Sequence, residues 1–262
     1  MTEARRLELA RLVDSRGFVR VTDAAEELGV SDVTIRGDLS ELERRGLLTR
    51  VHGGAMPVTE LRESSLEVGL DRDAAAKAAI GRAAAAMVAS GTSIYVDAGS
   101  TAMALALALV DRRDLHDVVV VTSGLTIALA LEPALPRFDV IVTGGTLRPL
   151  QHSLVNPFAA PMLDALRLDL AFVGCNGIHP LEGVTNLNLP DAEIKTRVIG
   201  RSKSTVVIAD ATKLGRADLA LIAPLAAVDT LVTAGDSPHA AEHAAELAAT
   251  GLSIVHADRL ER

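Results

Sequence analysis

The chain has 262 residues, a net charge of −8, 49% apolar and 2% aromatic residues, no Trp and a single Cys175. So much aliphatic side chain supplies a sizeable core and excludes a disordered chain. The shortage of aromatic rings excludes the stacking platforms used on single strands and RNA, and one cysteine excludes an internal disulfide and a cysteine-based zinc site. Arg5, Arg6 and Glu8 interrupt any leader-like apolar run. The Ala-rich stretches at 74–90 and 102–110 fall short of about 18 uncharged apolar residues, so no membrane span is expected and a cytoplasmic protein is.

Residues 3–15 are predicted helical, with Leu7, Leu9, Leu12 and Val13 on one face and Gly17 as the stop. Phe18–Val21 reads as a short extended piece. Thr22–Leu28 reads as a short helix, and Gly29 separates it from another. Ser31 is a good N-cap for that second helix and Gly46 a good stop. Ile35, Leu39 and Leu42 recur as one apolar stripe. At about 100° per residue, Val33, Arg36, Gly37, Ser40 and Arg44 fall on the opposite half. Helix, glycine turn and capped helix is the helix-turn-helix plan, whose second helix enters the DNA major groove. A plain helical hairpin with a solvated face has the same spacing.

Residues 1–56 hold nine Arg against ten acids, a balance of −1, which leaves −7 for the remaining 206 residues. DNA affinity then rests on a local patch, since Arg36, Arg44, Arg45, Arg50 and His52 lie within seventeen positions. Leu47–Val51, the Gly53-Gly54 pair and the run to Pro57 predict a β-hairpin, which in a winged helix would be the wing beside the groove.

Arg5-Arg6, Gly17-Phe18-Val19, the run from Leu28 to Arg36, Asp38-Leu39 and Gly46-Leu-Leu-Thr-Arg-Val-His-Gly-Gly-Ala55 resemble the N-terminal half of the DeoR-type family of bacterial transcriptional regulators. The resemblance implies a winged helix-turn-helix over 1–56, with Ser31, Val33, Thr34, Arg36, Gly37, Ser40, Arg44, Arg50 and His52 as the set facing DNA. Family members usually carry a second Arg where this chain has Gly37. A mid-helix Gly costs about 0.5–1 kcal/mol relative to Ala and removes a contact from that face.

Residues 57–73, with Pro57, Gly69 and mixed charges, read as a linker. Asp73 then caps an Ala-rich helix to about Ser90. From there, extended runs are predicted at 92–96, 118–122, 138–142, 168–173, 205–209 and 230–233, with a weaker one at 252–255. Helices are predicted at 101–110, 124–132, 157–166, 190–201 and 238–249. Continuous β-branched runs separated by helices predict an α/β domain over 74–262, a mostly parallel sheet covered on both faces.

Ligands of such sheets bind beyond the carboxyl ends of the strands. There the chain places Asp97-Ala-Gly-Ser-Thr101, Thr122-Ser-Gly124, Thr143-Gly-Gly-Thr-Leu-Arg148, Gly174-Cys-Asn-Gly177 and Asp210-Ala-Thr-Lys213. Gly and hydroxyl residues at helix starts suit an anion such as phosphate, and Arg148, Lys195 and Lys213 supply positive charge. Singly, each has a bland reading as a cap or a turn. No dinucleotide fingerprint follows a strand, and the histidines lack metal-ligand spacing, so no cofactor and no metal are expected.

These motifs, with Asp169-x-Ala-Phe-Val-Gly-x-Asn-Gly-Ile178, Gly183-Val-Thr185, Ala192-Glu-Ile-Lys195 and Ala209-Asp-x-x-Lys-x-Gly215, resemble the sensor half of the same family, similar in fold to ribose-5-phosphate isomerase and glucosamine-6-phosphate deaminase. The resemblance implies a phosphorylated sugar or related metabolite as effector and repression relieved on binding. It implies an effector set of Asp97, Gly99, Ser100, Thr101, Thr143, Gly144, Gly145, Arg148, Lys195, Asp210 and Lys213. Ser123 and Ala234 stand where relatives often have Asn and Asp. A DNA operator and further copies of the chain, as a homo-oligomer (dimer or tetramer), are the expected partners, because helix-turn-helix modules read paired half-sites. The alternative is a sugar-phosphate isomerase or deaminase with an accessory DNA domain. Its acid-base candidates are Asp97, Asp191, Glu193, Asp210 and Lys195, although Asp191 and Lys195, four apart on a helix, suit pairing with each other.

Overall fold

The computed structural model describes residues 2–16, 19–51, 53–56 and 63–259. The chain divides into two compact units, Met1–Val68 and Gly69–Arg262. Gly17, Phe18, His52 and the first part of the expected linker, 57–62, lie outside the described residues.

The first unit runs α1 (Thr2–Arg16), β1 (Val19–Arg20), α2 (Val21–Glu27), α3 (Asp32–Arg44), β2 (Thr49–Val51) and β3 (Gly54–Met56). The hairpin of β2 and β3 forms as the glycine pair predicts, and β1 adds a third antiparallel strand against β3. The two glycine stops work in the same way. Gly29 and Gly46 adopt φ of +64° and +72°. Their N–H groups return to Glu26 O and Glu43 O, and the next residues, Val30 and Leu47, bond Ala25 O and Leu42 O. These are Schellman closures, which satisfy the last carbonyls of α2 and α3 and need a residue that tolerates positive φ. Leu9, Val13, Val19, Ala24, Ile35, Leu39, Leu42, Leu48 and Ala55 make one buried core.

One charged side chain sits inside that core. Asp38 of α3 is buried and accepts from Arg5 Nε at 2.6 Å and Arg6 Nε at 2.8 Å, tying α3 to α1. The Arg5-Arg6 pair therefore has a structural role in holding α3.

The second unit begins inside α4 (Leu66–Asp71), a helix within the span expected to be linker. It continues with α5 (Ala74–Ala85), β4 (Ser93–Val96), α6 (Ser100–Asp111), β5 (Val118–Thr122), α7 (Leu125–Leu131) and β6 (Phe138–Val142). Next come β7 (Thr146–Arg148), β8 (Ser153–Val155), α8 (Ala159–Asp164), β9 (Leu168–Val173), β10 (Gly177–His179), β11 (Gly183–Asn186) and α9 (Leu189–Ile199). The unit ends with β12 (Ser202–Ile208), β13 (Ala220–Ala223), β14 (Thr230–Thr233), α10 (Ala240–Ala249) and β15 (Ser253–His256).

Seven strands form one parallel sheet in the order β15-β14-β12-β9-β4-β5-β6. They are the seven runs predicted. Alternation along each strand feeds both faces. Ile94 and Val96 pack with α5, α6 and α7, whereas Tyr95 between them packs with α8 and α9. The helix expected to reach Ser90 stops at Ala85, because the chain turns there, with Met87 N on Ala84 O and Val88 N on Ala85 O. The β7–β8 hairpin and the antiparallel sheet β10-β11-β13 are additions that the sequence reading lacks.

Burial raises the pKa of Asp38, and the two guanidinium groups outweigh it, so the net shift is downward. A lowered carboxylate contributes stability that is present above its unfolded value near pH 4 and is lost as pH falls through the native value. Asp38→Asn is expected to destabilise the first unit by about 1.5–3 kcal/mol at neutral pH. Urea unfolding followed from pH 7 to pH 3 should show that gap closing in acid; a gap independent of pH would remove the ion pair as its cause.

Candidate nucleic-acid interface and effector site

In the first unit, Ser31 Oγ accepts from Thr34 N at 3.3 Å and lies 2.9 Å from Thr34 Oγ1, so both residues serve the cap of α3. Beyond the cap, Val33 is 78% exposed, and Arg36, Gly37, Ser40 and Arg44 are exposed on the same side. The Arg36 side chain has no hydrogen-bond or ion-pair partner among the described residues, which leaves its guanidinium available. Ser40 Oγ donates to Arg36 O at 2.8 Å and accepts from Arg50 Nη1 at 2.7 Å. Arg50 N also donates to Glu43 Oε1 at 2.9 Å, so the wing strand β2 is pinned to α3. Arg44 Nε donates to Glu41 Oε2 at 2.9 Å, and Arg45 Nε to Glu41 Oε1 at 2.7 Å. The two guanidinium groups hold the Glu41 carboxyl down at about 2. An exposed pair of this kind is worth little, so a phosphate can take either arginine at small cost. His52, expected in this set, falls outside the described residues.

In the second unit the strand order reverses between β4 and β9, which makes their carboxyl ends the topological switch point. Asp97 follows β4 and is fully buried. Its Oδ2 accepts from Gly174 N at 2.8 Å, just past β9, and from Lys195 Nζ of α9 at 3.0 Å. Lys195 Nζ also reaches Asp191 Oδ2 at 2.9 Å and Gly174 O at 3.1 Å. Asp191 Oδ1 accepts from Arg148 Nη1 at 2.8 Å, and that nitrogen also donates to Ser153 Oγ at 3.0 Å. Asn186 Nδ2 completes the set on Asp191 Oδ2 at 3.0 Å. Asp97, Lys195 and Arg148 thus converge through Asp191.

The charges in this chain support one another. Burial pushes Asp97 up against the pull of Lys195, and its pKa stays raised. Burial also pushes Asp191 up, but Lys195 and Arg148 outweigh it and hold it below the usual range. Burial works against the Lys195 charge, and Asp191 and Asp97 more than restore it, so its pKa is raised.

Among the described residues, the buried side-chain atoms without a partner include Asp97 Oδ1, past β4, and Thr143 Oγ1, past β6 at the same edge of the sheet. Unpaired buried polar atoms are costly and call for an explanation. Beside them, α6 starts at Ser100 after Gly99, whose φ is +110°. The first-turn N–H groups of a helix lack intrahelical partners and carry the positive end of the dipole, so Ser100 and Thr101 sit at an anion-accepting terminus. Gly145 shapes the second loop. A β-carbon there would stand 1.8 Å from Val155 O, so only Gly lets β7 fold back on β8 and carry Arg148 to Asp191. A β-carbon at Gly144 would stand 3.1 Å from Phe158 Cβ instead.

The late loop has a plainer local role. Asp210 Oδ1 accepts from Thr212 N at 3.0 Å and from its hydroxyl, capping a turn over Ala211–Lys213. Lys213 lies half-buried at the end of that turn. Ser123 is buried, with Oγ 2.9 Å from Tyr95 OH, so this departure from the family pattern fills a polar pair inside the sheet. Sequence reasoning missed Tyr95, Ser153, Asn186 and Lys77. Only Lys77 left a signal: a lone charge in an Ala run, on the same helical face as Ile80 and Ala84, which are fully buried.

Residues 5–60 match the DeoR-like helix-turn-helix domain, and residues 72–235 match the DeoR C-terminal sensor domain. The chain is 32% identical over 252 residues to the HTH-type transcriptional regulator GlpR of Haloferax volcanii, a span of 96% of each chain. The chain belongs to the DeoR family. It is also 33% identical over 233 residues to the regulator GolR of Listeria innocua, covering 87% of this chain and 89% of that relative. With the lactose phosphotransferase system repressor of Staphylococcus aureus it shares 31% identity over 214 residues, 80% of this chain and 83% of the relative. Among solved structures, a ribose 5-phosphate isomerase A from Methanocaldococcus jannaschii aligns at a TM-score of 0.39 with 17% identity, covering 52% of each chain. The full-length sorbitol operon regulator SorC from Klebsiella pneumoniae aligns at 0.34 with 14% identity, over 78% and 87%.

Two expectations follow for this DeoR-family chain. A β-carbon at Gly37 meets nothing within 4 Å, so the helix face has room for a side chain there. Gly37→Arg is expected to tighten DNA binding, most at low salt. Fluorescence anisotropy across a salt series checks this, and equal or weaker binding at low salt would mean that the open backbone itself is used. Thr143→Val keeps the volume and removes an unpaired buried hydroxyl, so the unfolding free energy in urea should be unchanged or higher by about 1 kcal/mol.

Proposed function

We propose that the chain is a DNA-binding transcriptional repressor of sugar-use genes, acting as a homo-oligomer, released when a phosphorylated sugar fills the switch-point site. The observation that carries this reading is that Asp97 Oδ1 and Thr143 Oγ1, past the carboxyl ends of β4 and β6, are buried without a partner at the sheet edge where α6 begins. Hydroxyl groups of a sugar suit the two oxygens, and a phosphate suits the helix terminus. Lys195 and Arg148 serve here by holding the acids in place, and Lys213 supplies further positive charge. The relatives named as a lactose phosphotransferase system repressor and as transcriptional regulators support the regulatory output. On this reading the chain is not an enzyme: Lys195 keeps its proton between two carboxylates, and the site serves for recognition. A ligand shifts the balance between DNA-competent and released forms only by binding the two differently.

The test is a thermal-shift screen of the full chain against pentose and hexose phosphates. A compound at about 100 times its Kd adds about 2.7 kcal/mol, a rise of several degrees. The same compound should release the chain from the genomic DNA fragments it selects. Thr143→Val should weaken that compound by about tenfold or more without loss of DNA binding. Turnover of ribose 5-phosphate by the purified chain, or no shift with any sugar phosphate, would overturn the reading.

A further inference from the structure

Helix α4 carries the chain from one unit into the other, the division falling between Val68 and Gly69. With six residues it is too short to persist on helix propensity, so its position depends on what grips it. Two contacts within the sensor unit do so. The first is a seat: a β-carbon on Gly69 would stand 3.0 Å from Ser100 Oγ and 3.3 Å from Ser100 Cβ, so the backbone of α4 rests on the first residue of α6. The second is a cap. Lys77 Nζ of α5 donates to Gly69 O at 2.6 Å and Arg72 O at 2.5 Å, taking up carbonyls at the end of α4 where a positive charge favours the helix dipole. Lys77 is buried, so the two carbonyls are what hold its charge there. The seat therefore ends on a loop assigned above to the effector, Ser100 after β4, and the cap holds the end of α4 beside it.

We propose that α4 is the relay of the switch: a phosphate seated at the N-terminus of α6 takes the Ser100 hydroxyl, Gly69 loses its seat, and α4 shifts with the chain that enters the DNA-binding unit. This rests on the effector reading above and adds the path by which occupancy reaches the first unit. It also gives Gly69 a reason to be Gly, since a side chain there would prop the helix off Ser100 with no ligand present.

Hydrogen exchange on the full chain, read on peptides covering residues 66–72, tests the seat. Ala raises helix propensity over Gly, so propensity alone predicts slower exchange in Gly69→Ala. The contact with Ser100 predicts the opposite, about tenfold faster exchange, with a return to protection in Gly69→Ala combined with Ser100→Gly. Retention on the genomic fragments selected by the wild-type chain should fall about tenfold in Gly69→Ala and recover in the double variant. Lys77→Met should speed exchange in the same peptides by about tenfold without rescue by Ser100→Gly. Protection of 66–72 by Gly69→Ala in both backgrounds overturns the relay, as does faster exchange with DNA retention unchanged. Inorganic phosphate and ribose 5-phosphate form the ligand arm. A melting-temperature rise with no change in 66–72 also overturns the relay while leaving the effector reading intact. If neither compound shifts melting, the doubt falls on the effector reading, and the exchange and retention of the variants still decide the relay.

Discussion

The ammonium of Lys195, enclosed by Asp97 and Asp191, is the constraint on which the sensor unit depends. Burying a charge is expensive, and removing one partner of a buried ion pair costs about 3–5 kcal/mol because it strands the other. The members of this network therefore stand or fall together. Through them, α9 is held against the ends of β4 and β9, and Arg148 brings the β7–β8 hairpin to the same place. At the point where strand order reverses, this charged network works alongside the apolar packing of Tyr95, Val173, Ile194 and Val198.

That commitment divides the labour of the site. Cations engaged with buried acids position the walls, so on the proposed reading attraction for an anion falls to the start of α6 and to Lys213. Backbone N–H groups suit that task because they carry no side-chain entropy and cannot be neutralised. Gly145 serves the same design, since the hairpin bearing Arg148 closes only where no β-carbon intervenes.

Much of this was legible in the sequence. The seven sheet strands are β-branched runs bounded by Gly, Asp or Ser, and the recognition helix announces itself by Ser31, Gly46 and the stripe of Ile35, Leu39 and Leu42. What escaped has physical causes. β7, β8, β10, β11 and β13 have three or four residues each, too few for a period to register, and their pairing is dictated by tertiary contact. Asp38 escaped because a charged residue on a helix reads as solvated until its partners, thirty-odd positions away, are brought alongside. Asp97, Arg148 and Lys195 were legible as a group that the resemblance assigns to an effector; that Lys195 and Arg148 also hold buried acids was not. Only the local i,i+4 pairing of Asp191 with Lys195 pointed that way.

The acid Glu41 on the recognition helix has a consequence for association with DNA. Arg44 and Arg45 already share it as an internal counterion. When phosphates replace Glu41, part of what is displaced is a tethered carboxylate and not a mobile salt ion. The entropy gained by freeing ions on binding is then smaller than the number of arginines implies. On the proposed interface, complexes with DNA would accordingly respond to ionic strength more gently than a count of basic residues suggests, and discrimination between sequences would lean more on shape and on Arg36.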